Sequence, residues 1–559
     1  LYGARANNGA IIITTKGGTT GAMTVDISST ITAQQGNILF DYQNQFGQGS
    51  AGVYNAASTG SWGPALNGAT VAGWQPQTPT SYSLSPQADN VDDFMQTGFN
   101  LANNISIRSG SEKMQTFFGY THELRNGIVP DNDLKRHNVS LKIDNNLIDD
   151  KLVLSAKVNY IRSDLNNLVD TGESFSNPWR HAYRLPRNIR TVDAEEYQYV
   201  DAGGNVRQNY WKPGDNGGAN PYWTINKNLK EIIDNRIIGY MSLKYNFADN
   251  LSLLVRTAVD QSSQSREDRL YNDSYIIADN GNYVTRNASS LEWNTDFLLS
   301  YDKQINDNLA FNLNVGGNNR QANNKFVRTN AGGLNAANIF AISNAQNLTA
   351  TQDLNRREVN SLYAFGQVAL KDAVFLDLTY RSDWSSTLPE ANRRFDYYSA
   401  GLSAVVSDLT TLPEFFSFLK LRGSYAEVGN DTSPFNLVQV ADLRAGGFIQ
   451  LGTQLPNPDL RPERTKSLEF GFDARFLDSR LGVDFTYYKT NSIDQLFGQQ
   501  VPQGSGVSTK FINGADIQNN GVEVILTGTP VNTADFSWNI TFNYAKNNSD
   551  CLLYTSDAA

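Results

Sequence analysis

Along most of its length the chain alternates apolar and polar residues with a period of two. Between 468 and 476 the even positions are Leu468, Phe470, Phe472, Ala474 and Phe476, and the odd ones are Glu469, Gly471, Asp473 and Arg475. After Asp478-Ser479-Arg480 the pattern resumes with Leu481, Val483, Phe485 and Tyr487 against Gly482, Asp484, Thr486 and Tyr488. Residues 152–160 and 536–545 repeat it. Successive side chains of a strand point to opposite sides of the pleat, so each such run carries one apolar and one polar face. The pattern predicts roughly seventeen strands of about 9–14 residues each, and few helices.

The connections sharpen this reading. Short ones are expected at 148–150, 248–250, 305–308, 371–372, 478–480 and 532–535. Long ones are expected at about 35–101, 164–234, 261–289, 321–356, 430–465 and 492–519. The two kinds alternate down the chain. A soluble sandwich uses strands of about 5–6 residues. A membrane barrel needs about 9–11 tilted residues, with tight turns at one rim and long loops at the other. No constant repeat length is present, which counts against a propeller. The predicted fold class is therefore all-β, a large antiparallel transmembrane β-barrel. Tyr160, Tyr245, Tyr301, Tyr380, Tyr487 and Tyr544 fall near predicted strand ends, where aromatic girdles meet the membrane interface.

Composition narrows the function classes. The 559 residues carry 46 Lys and Arg against 56 Asp and Glu, a net charge of −10. That acidic balance excludes a nucleic-acid binder, which needs clustered cations against phosphates. No run of about 18 apolar residues exists, so no transmembrane helix is predicted. Cys551 is the single cysteine, leaving no disulfide framework. His122, His137 and His181 show no metal-ligand spacing. No nucleophile elbow or phosphate-binding loop appears. Asp92-Asp93 and Asp149-Asp150 read as turn carboxylates rather than a glycosidase pair. No enzyme activity, metal or cofactor is expected.

Residues 1–18, Leu1-Tyr2-Gly3-Ala4-Arg5-Ala6-Asn7-Asn8-Gly9-Ala10-Ile11-Ile12-Ile13-Thr14-Thr15-Lys16-Gly17-Gly18, combine a Gly/Asn turn, a run of β-branched residues and a diglycine. This segment resembles the end of the plug domain of TonB-dependent outer-membrane transporters, most closely the SusC/RagA family. Val91-Asp92-Asp93-Phe94-Met95-Gln96-Thr97-Gly98 adds to the resemblance. So do Leu419-Lys420-Leu421-Arg422-Gly423-Ser424-Tyr425 and Asn457-Pro458-Asp459-Leu460-Arg461-Pro462-Glu463-Arg464-Thr465. These blocks stand in the family's order along nearly the whole chain.

The resemblance implies a division into the C-terminal end of a plug domain (1–18) and a partial barrel with long extracellular loops (19–548). Residues 549–559 break the preceding pattern and are expected to be a non-native or frayed tail. The family's barrel closes with about 22 strands around a plugged lumen. The chain is thus expected to be a fragment lacking most of the plug and the last strands. The implied function is TonB-dependent active import of oligosaccharides, or of peptides, across a Gram-negative outer membrane. Implied partners are a SusD-like surface lipoprotein, the TonB–ExbB–ExbD complex, the transported substrate and outer-membrane lipid. A siderophore or cobalamin receptor is the alternative within the same transporter class. A passive porin or adhesin barrel is the alternative outside it, and the plug-like segment counts against that one.

Two sets of side chains are singled out as functional candidates. Trp62, Trp74, Trp179, Trp211 and Trp223 fall in predicted long loops, where exposed indoles offer flat faces to sugar rings or a partner protein. The competing reading is that they anchor those loops onto the rim. Arg5 is a plug residue expected to meet inward carboxylates of the barrel, with Glu469, Asp473 and Asp484 as its candidates.

Overall fold

The computed structural model of the chain describes residues 11, 13, 15–75, 79–148, 151–443 and 445–553. Among the described residues seventeen strands form one antiparallel meander, and a two-residue strand, Gln454–Leu455, joins it in parallel with the sixteenth. The first group is β1 (Gly21–Gln34), β2 (Gly98–Gly110), β3 (Met114–Asn126), β4 (Asp133–Leu147), β5 (Leu152–Asn166) and β6 (Asn228–Ala248). The second is β7 (Leu251–Ser274), β8 (Asp279–Asn306), β9 (Leu309–Leu334), β10 (Ala345–Leu370), β11 (Val374–Ser385) and β12 (Arg394–Val405). The last is β13 (Phe416–Asn430), β14 (Glu463–Phe476), β15 (Leu481–Gln500), β16 (Thr509–Asn532) and β17 (Ser537–Leu553). Each pairs antiparallel with the next, from Ile27 opposite Ile105 at one end to Val524 opposite Tyr544 at the other. This is the large antiparallel sheet that the sequence predicts.

The two faces of the sheet differ as the period-two pattern requires. On one side of β6 lie Ile237, Met241, Leu243, Tyr245 and Phe247, all exposed. Leu468 and Phe470 of β14 and Trp538, Ile540 and Phe542 of β17 are likewise exposed. A sheet that leaves so many large apolar side chains uncovered faces hydrocarbon on that side. The opposite face is polar and charge-paired. Arg236 meets Asp260 at 2.5 Å, Arg256 meets Asp296 at 2.9 Å and Arg320 meets Glu292 at 2.8 Å. Among the described residues no helix is long and apolar enough to cross a membrane.

Five of the six expected tight turns stand in place, at 249–250, 307–308, 371–373, 477–480 and 533–536; of the sixth, at 148–150, residues 149 and 150 lie outside the described residues. The other rim differs from expectation in three places. Residues 261–289 and 321–356, predicted as long connections, are mostly strand. β7 and β8 run on for 24 and 28 residues and join through one helical turn, Tyr275–Ala278. β9 and β10, 26 residues each, join through 335–344. Above the apolar belt both faces of these hairpins meet water, so the backbone ladder continues without an alternating sequence. The expected connection at 492–519 likewise shrinks to 501–508.

The long connections 35–97 and 167–227 fold against each other on that same rim. Three short helices order the second, α1 (Pro178–Ala182), α2 (Thr191–Glu195) and α3 (Pro221–Lys227). α1 and α3 begin with an Asn cap and Pro at the first turn, where the missing N–H of proline costs nothing. Asn177 accepts from the Trp179 amide at 3.1 Å, and Asn220 from that of Tyr222 at 2.9 Å. At the other end of the chain, β17 stays paired with β16 as far as Leu553 opposite Asp516, with a register shift between that pair and Cys551 opposite Ile517. Residues 554–559 lie outside the described residues.

Candidate functional site

The polar face of the sheet and the cap above it make the two walls of the candidate site. Ile13 and Thr15 share a cavity of about 570 Å³ with Lys157, Arg256, Asp260 and Glu292 on the polar face. The N-terminal segment therefore lies on the side of the sheet away from the apolar belt. Gly18 explains how it gets there. A Cβ at Gly18 would stand 2.5 Å from the Thr116 amide nitrogen of β3, so only glycine admits that approach. Thr20 and Gln115 hydrogen-bond beside it at 3.3 Å. The segment enters at the short-turn rim, since Gly21 opposes Gly110 at the foot of β2.

The inward carboxylates find basic partners within the barrel wall itself. Asp484 takes a hydrogen-bonded ion pair from Arg422 at 2.7 Å, and Arg422 also reaches the Thr486 hydroxyl at 2.6 Å. Asp473 pairs with Arg475 at 3.1 Å. Glu469 is exposed and lines a cavity of about 150 Å³ with Asp377, Arg422 and Thr486. All three are on the polar face, as expected. Arg5, their expected partner, lies outside the described residues.

The five loop tryptophans divide. Trp211 and Trp223 are completely buried and Trp74 nearly so. Trp74 packs edge-on against Trp211 at 5.8 Å, and the Trp223 indole N–H donates to Ser274 Oγ at 3.1 Å. These three are anchors: their rings are covered, so the expectation of exposed stacking faces does not hold for them. The physical reason is the second long loop, which supplies a hydrophobic core that neither loop has alone. Trp179 is half-buried, edge-on to Phe94 at 5.4 Å. Trp62 remains open, 63% exposed, tilted against Phe46 at 5.9 Å.

The core of the cap holds Phe94, Leu185, Ile189, Tyr210, Trp211 and Tyr222. Two ionisable side chains buried with it, Arg187 and His181, find local partners. Arg187, 2% exposed, donates to Asn90 Oδ1 at 2.5 Å, to Asn44 Oδ1 at 3.1 Å and to the Gln87 carbonyl at 2.8 Å. His181 donates from Nε2 to the Phe175 carbonyl at 2.9 Å and accepts the Ala219 amide at Nδ1, 3.2 Å away. Burial holds its pKa down to about 4, against the partial opposition of the Phe175 carbonyl. The Tyr82 hydroxyl donates to Asp193 at 2.5 Å, and burial together with that carboxylate pushes it up to about 12. The cap is thus a folded unit whose neutral histidine is part of its core.

His122 and His137 are elsewhere, stacked at 4.8 Å on β3 and β4 with Tyr120 Oη 2.9 Å from His137 Nδ1. Among the described residues no group of three His, Cys, Asp or Glu could hold a metal ion.

The family model described as TonB dependent receptor-like, beta-barrel, matches residues 178–558. The chain belongs to this family. It is an outer-membrane β-barrel of TonB-dependent receptor type. TonB-dependent receptor P26 of Formosa agariphila is 25% identical over 99% of the chain and 55% of its own length. TonB-dependent receptor SusC of Bacteroides thetaiotaomicron is 23% identical over 99% of the chain and 55% of its own length. The RagAB peptide importer superposes with a TM-score of 0.77 at 16% identity, over 99% of this chain and 64% of that one. The chain therefore spans about half the length of the curated relatives it matches. These similarities bear out the SusC/RagA resemblance drawn from the sequence.

The charged inner wall was only partly legible beforehand. Alternation told which residues face inward, but partners such as Arg422 for Asp484 depend on register across three strands, which no single segment encodes.

Proposed function

We propose that the chain is the greater part of the barrel of a TonB-dependent importer that takes up oligosaccharides, or peptides, together with a SusD-like surface lipoprotein. The observation that carries this reading is the N-terminal segment lying against the polar wall at Ile13 and Thr15. A passive pore has no use for a segment of chain run inside it, whereas a transporter gated by a plug does. In this reading residues 1–18 end the plug and residues 19–548 belong to the barrel. TonB–ExbB–ExbD supplies force through the rest of the plug. No covalent chemistry is involved, and the protein acts by binding and gated passage.

The cap fits a capture role. Trp62 and Trp179 are the indoles of the set with open ring surface, and they sit on the loop rim that meets incoming substrate. Trp74, Trp211 and Trp223 hold that surface in place. The test is calorimetry on the full-length protein purified with its genomically neighbouring lipoprotein, against a panel of oligosaccharides and peptides. Binding of one class, weakened by Trp62→Ala and Trp179→Ala, supports the proposal. Binding only of metal chelates or corrinoids, with no co-purifying lipoprotein, replaces it with the siderophore or cobalamin reading.

A further inference from the structure

The hairpins β6 to β10 rise above the apolar belt, and their inward face carries an unusual row. Arg266 of β7 stands directly opposite Arg286 of β8, and Arg286 directly opposite Arg328 of β9. Directly opposed residues on antiparallel strands have Cβ atoms about 4.5–5.5 Å apart, and like charges in such positions repel. Three guanidinium groups are thus held side by side in a protein whose net charge is −10. Lys230 of β6, buried and paired with Asp170, adds a fourth cation one row further out.

The local carboxylates do not use up this charge. Asp268 is shared, meeting Arg266 at 2.6 Å and Arg286 at 3.1 Å. Arg328 makes no ion pair among the described residues, and Arg286 Nε is buried without a hydrogen-bond partner. One row nearer the membrane, Arg286 and Arg328 are followed by the neutral Ala288 and Phe326, with Asp234 and Asp353 only at the flanks. That lower row borders a cavity of about 330 Å³. Phe326 lies in its wall among Ser262, Gln264, Ser290, Asn324 and Asn355, with Asp234, Asp353 and Lys325 on the same lining.

An aromatic face ringed by amides and hydroxyls suits a sugar ring, and arginine forks match planar or tetrahedral oxyanions with paired N–H bonds. We infer that this wall is a subsite for an acidic oligosaccharide, whose carboxylate or sulfate group sits on the Arg286–Arg328 ladder while its ring lies over Phe326. This rests on the import reading above and specifies its substrate class. The ladder's mutual repulsion is relieved when an anion binds, which favours charged over neutral glycans. It faces the lumen on the long-loop side, where substrate arrives before passage.

The experiment is calorimetry on the full-length protein with four probes of equal length: tetragalacturonate, a sulfated chondroitin tetrasaccharide, maltotetraose and tetraglutamate. Arg286→Gln and Arg328→Gln are compared with the parent, and heat-modified gel mobility reports folding. Because Arg286 is partly buried, Arg328→Gln is the decisive variant. The expected result is binding of tetragalacturonate or the sulfated glycan at least tenfold tighter than maltotetraose. Arg328→Gln should remove that preference while leaving maltotetraose affinity unchanged. An affinity for the acidic glycans that survives both variants overturns the ladder assignment and leaves import intact. Ladder-dependent binding of tetraglutamate alone assigns the site to acidic peptides and overturns the glycan. Failure of every oligosaccharide, with peptides of any charge bound, overturns glycan import itself.

Discussion

Asp473 of β14 and Asp484 of β15 stand directly opposite each other on the inner wall, two like charges in register. Neither is left alone. Arg475 pairs with the first and Arg422 with the second, and Lys420 opposes Asp473 from β13. Two cross-strand carboxylates that alone would repel are thus stitched into a wall three strands wide. Their outward neighbours, Phe472 and Phe485, also oppose each other and stack at 5.5 Å. One pair of strands shows both solvents of the barrel.

Phe472→Arg should therefore cost about 2–4 kcal/mol where the residue meets the bilayer midplane. Asp473→Asn should change stability by less than about 1 kcal/mol, because it removes one exposed pair and one repulsion together. Denaturant unfolding of the full-length protein refolded in lipid checks this. Equal costs for the two would reverse the assignment of faces.

The cap predicts a different division. Trp211→Ala should cost about 3–5 kcal/mol of cap stability, since it empties a fully enclosed site. Trp62→Ala should stay within about 0.5 kcal/mol. Hydrogen exchange of residues 167–227 reads the first, and a substrate titration reads the consequence of the second. Ser274→Ala, which removes the acceptor of the Trp223 indole, should cost about 1–3 kcal/mol by leaving a buried donor unpaired.

The period-two pattern revealed the strands, the two faces and the tight turns, because a strand half in lipid and half in a watery lumen writes its environment into alternate residues. It failed at 261–289 and 321–356 because there both faces are wet, and Ser, Asn, Gln and charged residues fill a strand as readily as a loop. The loop tryptophans marked the cap, but whether a ring is open or covered is decided by the partner loop some hundred residues away: Trp74 meets Trp211 only after both connections fold. The arginine row was equally hidden, since Arg266, Arg286 and Arg328 are unremarkable until register aligns them.

His181 should make the cap sensitive to acid. Its folded pKa is near 4 and its unfolded value about 6.5, so the unfolded state binds the proton more readily. Its contribution is fully present above pH 6.5 and is lost progressively as pH falls towards 4. Exchange protection of 178–227 measured from pH 7.5 to 4 should decline over that window. His181→Gln, which keeps one donor and one acceptor, should flatten the decline. An unchanged slope in that variant would place the sensitivity elsewhere.

Gly18→Val should displace the N-terminal segment without unfolding the sheet, because a side chain there collides with the β3 backbone. Disulfide trapping between Thr15→Cys and Lys157→Cys, residues lining one cavity, should succeed in the parent and fail in Gly18→Val. Trapping with equal yield in both would show that the approach to β3 does not set the path of the segment.

The central claim is that this barrel belongs to an energised importer rather than an open pore. The most direct test is uptake of a fluorescent oligosaccharide by cells carrying the full-length protein, with and without a protonophore that collapses the inner-membrane gradient. The account predicts uptake that saturates and stops when the gradient is collapsed. Uptake that continues unchanged without the gradient would contradict it.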